Sequence, residues 1–354
     1  MNGDILGVTG GFSALMIRYG ILGFGLHAVK RLMPGFQQAH DCKVIALSRR
    51  TLEKARQSAA EYKIPYAFDS AAELCRCPEV DAIFVTTPNA CHLNHVLLAL
   101  ESGKPVLCEK PMGLNAQECR QMVEAAHRAQ VLLGVAQVFR FEDSTNRLRQ
   151  RIAKGEIGKP ILARAEFSFP GLAAARIWIH DAQLAGGGPI ADVGVHCVDA
   201  LRYILDDEVV KVSAHGAFDR ESRDVESAAA MILEFRRGTL ATIMVSFRAE
   251  YRTPLEFVGE TGVLRADDGL NVDRPINLQL RRGGSVAQTE LLSNQFAYAR
   301  QVDMFANAVK GHGEFPVPGE EGWQNQEVLD AAYRSIQSGK AETVELVPRT
   351  LTRV

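Results

Sequence analysis

The chain has 354 residues, a length that predicts two domains or one large one. Hydrophobic residues make up 47% and charged residues 23%, the balance of a soluble globular protein. The formal net charge of -2 argues against a broad basic surface for nucleic acid or anionic lipid, and no apolar run approaches the ~20 residues of a membrane span, so neither partner is expected.

Residues 1–16, MNGDILGVTGGFSALM, lack a positive n-region and are interrupted by Asp4 and by glycines. They read as a loose leader rather than a signal peptide, with Met16 as an alternative start. From Arg18 onward short β-branched runs alternate with amphipathic stretches. Strands are expected at Tyr19–Leu22, Lys43–Leu47, Ala82–Thr86, Pro105–Cys108 and Val131–Val135. Helices are expected between them, for example at Leu52–Tyr62, His92–Ser102 and Ala116–Ala129. This alternation predicts parallel strands with crossover helices.

After Val138 the pattern changes. A helix near Thr145–Lys154 is followed by longer runs with strand character at Ile161–Phe169, Val209–Phe218, Ala228–Phe235, Thr239–Ser246 and Pro254–Gly259. Arg236-Arg237-Gly238 reads as a hairpin turn. Helices are expected near Ala191–Leu205, Ala297–Lys310 and Gly322–Gln337. The predicted organisation is a leader (1–16), an α/β Rossmann domain with a parallel sheet (17–138), and an α+β C-terminal domain with a large, open, mostly antiparallel sheet (139–354). The C-terminal domain is expected to bind substrate and to mediate oligomerisation.

Seven scattered cysteines, Cys42, Cys75, Cys77, Cys91, Cys108, Cys119 and Cys197, do not form a disulfide framework. Cys75-Arg76-Cys77 lacks the second pair a zinc site needs. No metal is expected, and a reducing cytoplasm is the natural location.

The first strand runs into Gly20-Ile21-Leu22-Gly23-Phe24-Gly25-Leu26-His27-Ala28, in which Gly23, Gly25 and Ala28 fit G-x-G-x-x-G/A. Gly23 permits the tight turn, Gly25 lets the backbone approach a pyrophosphate, and Ala28 lets the helix pack close to the strand. Phe24 and Leu26 belong to the same turn. The second strand ends in Ser48-Arg49-Arg50-Thr51, with no carboxylate to accept from a ribose 2′-hydroxyl. Two guanidiniums suit a 2′-phosphate, so NADP is preferred over NAD. The alternative is a solvated helix start.

Three further segments carry chemistry: Thr86-Thr87-Pro88-Asn89 leading to His92; Glu109-Lys110-Pro111 after a buried strand; and Gly186 to Asp199 in the second domain. The three glycines from Gly186 read as a flexible approach. If a helix begins near Ala191, Asp192 and His196 share one face, with Asp199 roughly on the same side. A His near neutrality can take a hydroxyl proton, and a Lys ammonium can stabilise a developing alkoxide. Each residue also has an ordinary structural reading.

Taken together, G-x-G-x-x-A, Thr87-Pro88-Asn89 with His92, Glu109-Lys110-Pro111 and Asp192-x-Gly194-x-His196 resemble the glucose–fructose oxidoreductase/inositol dehydrogenase (Gfo/Idh/MocA) family, over about Arg18 to Glu345. The resemblance implies a pyridine nucleotide, a sugar, polyol or related carbohydrate substrate, and a homodimer or homotetramer built on the exposed face of the second sheet. It implies catalytic roles for Lys110, Asp192 and His196, a cofactor contact for Glu109, and a cis Lys110–Pro111 bond. Cofactor contacts are expected from Gly23, Phe24, Gly25, Leu26, Ser48, Arg49, Arg50, Thr87, Pro88, Asn89, His92, Glu109 and Lys110. Substrate contacts are expected from Lys110, Arg140, Arg176, Trp178, Asp192 and His196; for Trp178 a packed core role is equally open. Val138-Phe139-Arg140-Phe141 departs from relatives with Asn or His before Arg–Phe, and Cys197-Val198 departs after the His. The expected activity is hydride transfer between nicotinamide C4 and a carbinol or carbonyl carbon. The family also contains a non-catalytic cofactor-binding regulator, which is the alternative function. The intact Lys110, Asp192 and His196 favour an enzyme.

Overall fold

A computed structural model describes residues 16–219 and 224–348. Apart from Met16, the expected leader lies outside the described residues.

Strands β1 (Ile17–Leu22), β2 (Cys42–Ser48), β3 (Tyr66–Phe68), β4 (Ala82–Val85), β5 (Val106–Cys108) and β6 (Leu133–Val135) form one sheet in the order β3-β2-β1-β4-β5-β6. All neighbours in it are parallel. Between them run helices α1 (Met33–Gln38), α2 (Leu52–Tyr62), α3 (Ala71–Arg76), α4 (His92–Glu101) and α5 (Ala116–Ala129). Helices cover a parallel sheet on both faces, so its central strands are buried. β4 and β5 are accordingly buried along their whole length. Gly20 in β1 lets α3 approach, since a Cβ there would lie 2.7 Å from the Leu74 Cδ2. Strand order reverses between β1 and β4, and ligands bind at such switch points.

The second sheet has nine strands. They are β7 (Pro160–Ser168), β8 (Val209–Ala217), β9 (Ala228–Phe235), β10 (Leu240–Ser246), β11 (Leu255–Gly259), β12 (Val263–Ala266), β13 (Pro275–Arg282), β14 (Ser285–Ser293) and β15 (Glu342–Thr343), in the order β14-β13-β12-β11-β7-β10-β9-β8-β15. β7 and β10 are parallel and the other neighbours antiparallel. Helices α6 (Asp143–Ala153), α7 (Ala182–Ala185), α8 (Val195–Leu205), α9 (Ala297–Val309) and α10 (Gly319–Ser338) complete the chain. In β9, Ala229, Met231, Leu233 and Phe235 are buried while Ala230, Ile232 and Glu234 face out. This is the period-two pattern of a sheet with one covered face.

The last two helices tie the lobes together. α9 docks beside α1, where the Tyr19 hydroxyl donates to the Val302 carbonyl at 3.0 Å. α10 packs on α5 and β8, and the Val135 N–H donates to Val317 O at 2.9 Å just before it. Among the described residues no helix is long and apolar enough to cross a membrane.

The structure adds β3 and β12 to β15 to the expected strands. β3 is a three-residue edge strand without a clear alternation. The β13–β14 hairpin had a readable signal in Gly283-Gly284, both at positive φ (55° and 79°), as its two-residue turn requires.

Candidate active site

β1 and β4 both end at one mouth. Gly23 has φ +85°, and a Cβ there would lie 2.6 Å from Thr87 Cγ2. Only glycine fits this turn. Its N–H donates to Ser48 Oγ (3.2 Å) and its carbonyl accepts from Thr86 Oγ1 (2.8 Å). At Gly25 a Cβ would meet only the Gly23 carbonyl at 3.7 Å, which leaves open space over the turn. Ala28 is fully buried and opens a π-helical turn (Ala28–Leu32) that continues into α1. The turn therefore fits a dinucleotide pyrophosphate.

A cavity of about 630 Å³ extends from this turn into the cleft between the lobes. Gly23, Gly25, Leu26, Thr87, Pro88, Asn89, Glu109, Lys110, Arg176, Trp178, Asp192 and His196 line it. The Lys110–Pro111 bond is cis. The Lys110 ammonium crosses to the other lobe, donating to the Asp192 carbonyl at 2.8 Å and to Asp192 Oδ1 at 3.3 Å. The Arg176 guanidinium reaches the same carboxylate at 3.0 and 3.3 Å. Asp192 lies in a π-helical turn (Ile190–Gly194) that feeds α8, and His196 follows one turn later. Burial would raise the Asp192 pKa, but Arg176 and Lys110 hold it well below the usual carboxylate range.

Glu226 anchors this turn from below. Its buried carboxylate accepts from the Gly188 N–H (3.0 Å), the Ile190 N–H (2.9 Å) and the Tyr333 hydroxyl (3.1 Å). The glycines of the 186–188 run serve close approach rather than flexibility. A Cβ on Gly188 would lie 2.1 Å from the Glu226 carbonyl, and one on Gly187 1.8 Å from the Tyr333 hydroxyl.

His196 packs between rings, edge-on to Phe139 (4.6 Å) and stacked on Phe167 (6.0 Å). Its Nδ1 is sealed from solvent and has no hydrogen-bond partner among the described residues. Burial, then the nearby Lys110 charge, pushes its pKa well below the ordinary imidazole value, so it is neutral near pH 7. Burial lowers His92 and His95 as well. As pH falls below about 6.5, the unfolded chain takes up these protons before the folded one, and stability is lost. The melting temperature is expected to drop between about pH 7 and 5, and His196→Gln is expected to flatten that slope. An unchanged slope in the variant would contradict a neutral buried His196.

Several expected contacts fall elsewhere. The Phe24 ring turns into the core against Tyr62 (5.4 Å), leaving only its backbone for a ligand. His92 is fully buried behind the cavity, its ring nitrogens 3.0 Å from Pro111 O and 2.8 Å from Thr87 O. It sits between two cavity loops, donating to one of the two carbonyls, and does not line the cavity, because the first turn of α4 faces inward. Ser48, Arg49 and Arg50 stand at the end of β2 beside the glycine turn, beyond the residues that line the cavity: Ser48 Oγ accepts from the Gly23 N–H at 3.2 Å, and Arg49 donates to Ser58 Oγ at 2.7 Å.

Arg140 is also corrected. Its buried guanidinium grips Asp199 (2.7 and 2.9 Å) and Glu321 (2.6 Å), away from the cavity. The buried Asp199 carboxylate requires a cation, so it lies with Arg140 and not with His196. The neighbouring Phe139 lines the cavity in its place. Sequence reading also missed His27, Tyr251, Asn271 and Tyr298, which line the same space. His27 stands inside the glycine fingerprint itself; Tyr251 and Asn271 arrive from distant loops and Tyr298 from the first turn of α9, and these three carry no local signal.

This fold, with a dinucleotide turn facing an ammonium, a carboxylate and a neutral imidazole, defines a two-domain nicotinamide-dependent oxidoreductase. Residues 17–137 match the oxidoreductase family with an NAD-binding Rossmann fold, and residues 145–265 match the GFO/IDH/MocA C-terminal domain. The chain belongs to the GFO/IDH/MocA oxidoreductase family. It is 31% identical over 339 residues to the 1,5-anhydro-D-fructose reductase of Ensifer adhaerens, covering 93% of this chain and 99% of that one. It is 31% identical over 331 residues to D-xylose 1-dehydrogenase (NADP(+)) 2 of Haloferax volcanii, covering 91% and 98%. The crystal structure of aldose-aldose oxidoreductase from Caulobacter crescentus, complexed with glycerol, superposes with a TM-score of 0.86 at 26% identity, covering 93% of this chain and all of that one.

Proposed function

We propose that the protein oxidises or reduces a carbohydrate at a carbinol/carbonyl carbon, with Lys110 and His196 assisting proton transfer and NADP as the preferred cofactor. The observation that carries this reading is the meeting of Lys110 from one lobe with Asp192 and His196 from the other in a single cavity. The bound nicotinamide supplies the hydride donor or acceptor at C4. Lys110 holds a charged ammonium where a substrate oxygen can accept from it and stabilises developing alkoxide charge. Asp192 fixes that ammonium, and Arg176 keeps the carboxylate anionic. Neutral His196 accepts the hydroxyl proton in oxidation and returns it in reduction. Phe139, Phe167 and Trp178 offer apolar walls for the C–H face of a sugar ring, and the relatives named for 1,5-anhydro-D-fructose and D-xylose support that class. A homo-oligomer through the outer sheet face fits its exposed Leu162, Ile232, Leu240 and Met244.

A spectrophotometric screen of aldoses, polyols and anhydro sugars with both cofactors tests the substrate class. Turnover confined to non-carbohydrate alcohols would overturn it. For the cofactor, Arg49→Ala is expected to weaken NADPH binding about tenfold while leaving NADH nearly unchanged, because guanidinium pairs with a 2′-phosphate. Equal affinity of the parent for both, by fluorescence titration, would refute the preference.

A further inference from the structure

Asp192 and His196 share one helical run, Ile190–Leu205, whose cap is Pro189. A proline offers no side-chain acceptor, so the N–H groups at the start of this run need a partner from elsewhere. Glu226, two residues before β9, supplies it. One carboxyl oxygen accepts from the Gly188 N–H at 3.0 Å and the other from the Ile190 N–H at 2.9 Å. The Tyr333 hydroxyl of α10 braces the second oxygen at 3.1 Å. Glu226 is fully buried, and among the described residues no lysine or arginine pairs with it. A buried carboxyl without a cation is a poor source of stability, but its two oxygens fix the direction of the backbone they hold.

We propose that Glu226 is a positioning residue for the Lys110–Asp192 contact. This rests on the function proposed above. Glu226 does not line the cavity, so it acts through the backbone. Gly188 gives its N–H to Glu226, and its carbonyl accepts from the Asp192 N–H at 3.0 Å. Asp192 in turn accepts from the Lys110 ammonium through its carbonyl at 2.8 Å and its carboxylate at 3.3 Å. An unbroken chain of hydrogen bonds therefore joins the acid beneath the turn to the ammonium assigned to the substrate oxygen.

An isosteric amide disrupts this chain. Each carboxyl oxygen faces a backbone N–H, and a backbone N–H can only donate. Glutamine has a single acceptor oxygen, so its NH2 must face one of the two donors whichever way the amide turns. That donor is pushed off its seat, and Asp192, hydrogen-bonded to Gly188, moves with the turn.

The test uses the full chain and the carbohydrate turned over fastest in the screen above, with 1,5-anhydro-D-fructose and D-xylose among those tried. Glu226→Gln is expected to lower kcat per NADPH-binding site about 10–100-fold, the scale of an ångström-sized misplacement. KM and the NADPH Kd are expected to stay within about threefold, because the loss falls on the transition state. Tyr333→Phe keeps both backbone contacts and is expected to lower kcat about threefold, the scale of one hydrogen bond. In Glu226→Gln, hydrogen exchange is expected to quicken in a peptide covering 186–199 and to stay parental in the strands of both sheets. Parental kcat per site in Glu226→Gln, or exchange quickened evenly over both lobes, makes Glu226 a stabilising residue only; either result overturns the inference and leaves the proposed function standing. If Glu226→Gln does not fold, parental kcat in Tyr333→Phe overturns it equally. A parent idle on every carbohydrate overturns both.

Discussion

Replacing Lys110 with Met is expected to lower kcat by about 10²–10³-fold, the usual cost of removing one donor from a developing oxyanion. NADPH affinity is expected to change by less than about threefold, since the glycine turn expected to hold the pyrophosphate is untouched. The protein should still fold, because Asp192 keeps its contact with Arg176 at 3.0 Å after the ammonium is gone. Asp192 therefore does not become an uncompensated buried charge, which is the usual cause of collapse in such variants. Lys110→Arg is expected to rescue little, since a planar fork cannot replace a point charge beside both the Asp192 carbonyl and its carboxylate. Stopped-flow and steady-state assays on one preparation separate the two readouts. Parental kcat in Lys110→Met would remove Lys110 from the mechanism.

Arg140→Met is expected to act on stability instead, by about 3–5 kcal/mol, the cost of leaving a buried partner charge unpaired. Asp199 has almost no exposed side-chain surface and among the described residues would retain only the Asn325 amide at 2.8 Å. Glu321 is better protected, because Arg202 also reaches it at 3.1 Å. The folded fraction is expected to keep the parental KM, since Arg140 points away from the cavity. Removing Asp199 as well, in Arg140→Met/Asp199→Leu, should recover part of the loss, because an apolar pair carries no stranded charge. Denaturant unfolding and substrate titration decide the matter. A raised KM with unchanged stability would return Arg140 to the substrate pocket.

These two arginine and lysine residues show why the site was only partly legible. Lys110 was readable because a buried strand, Val106–Cys108, ends abruptly in charge, and strand ends in open α/β sheets face ligands. For Arg140 the family resemblance points to the wrong side chain, because a short 3-10 turn (Val138–Phe141) decides which residue meets the cavity. That turn sends Phe139 inward and Arg140 towards Asp199. His92 differs for a similar reason: it stands beside the right loop but on the inner face of α4. In the second lobe, β7 to β11 were visible through their alternation. β14 was not, since its residues are exposed on both faces along most of its length and leave no period to detect.

Local chemistry, then, settled the central strands and crossover helices of the first lobe and β7 to β11 of the second, where the glycine turn must close, and that an ammonium, a carboxylate and an imidazole are available for reaction. Periodicity and turn geometry act over a few residues and can be read in order along the chain. Only folding decided which of these groups share a cavity. The Lys110–Asp192 contact, the Arg140–Asp199 pair and the His27–Glu109 bond each join residues far apart in sequence. Their partners are chosen by the need to compensate buried charge, a condition that exists only once folding has excluded water.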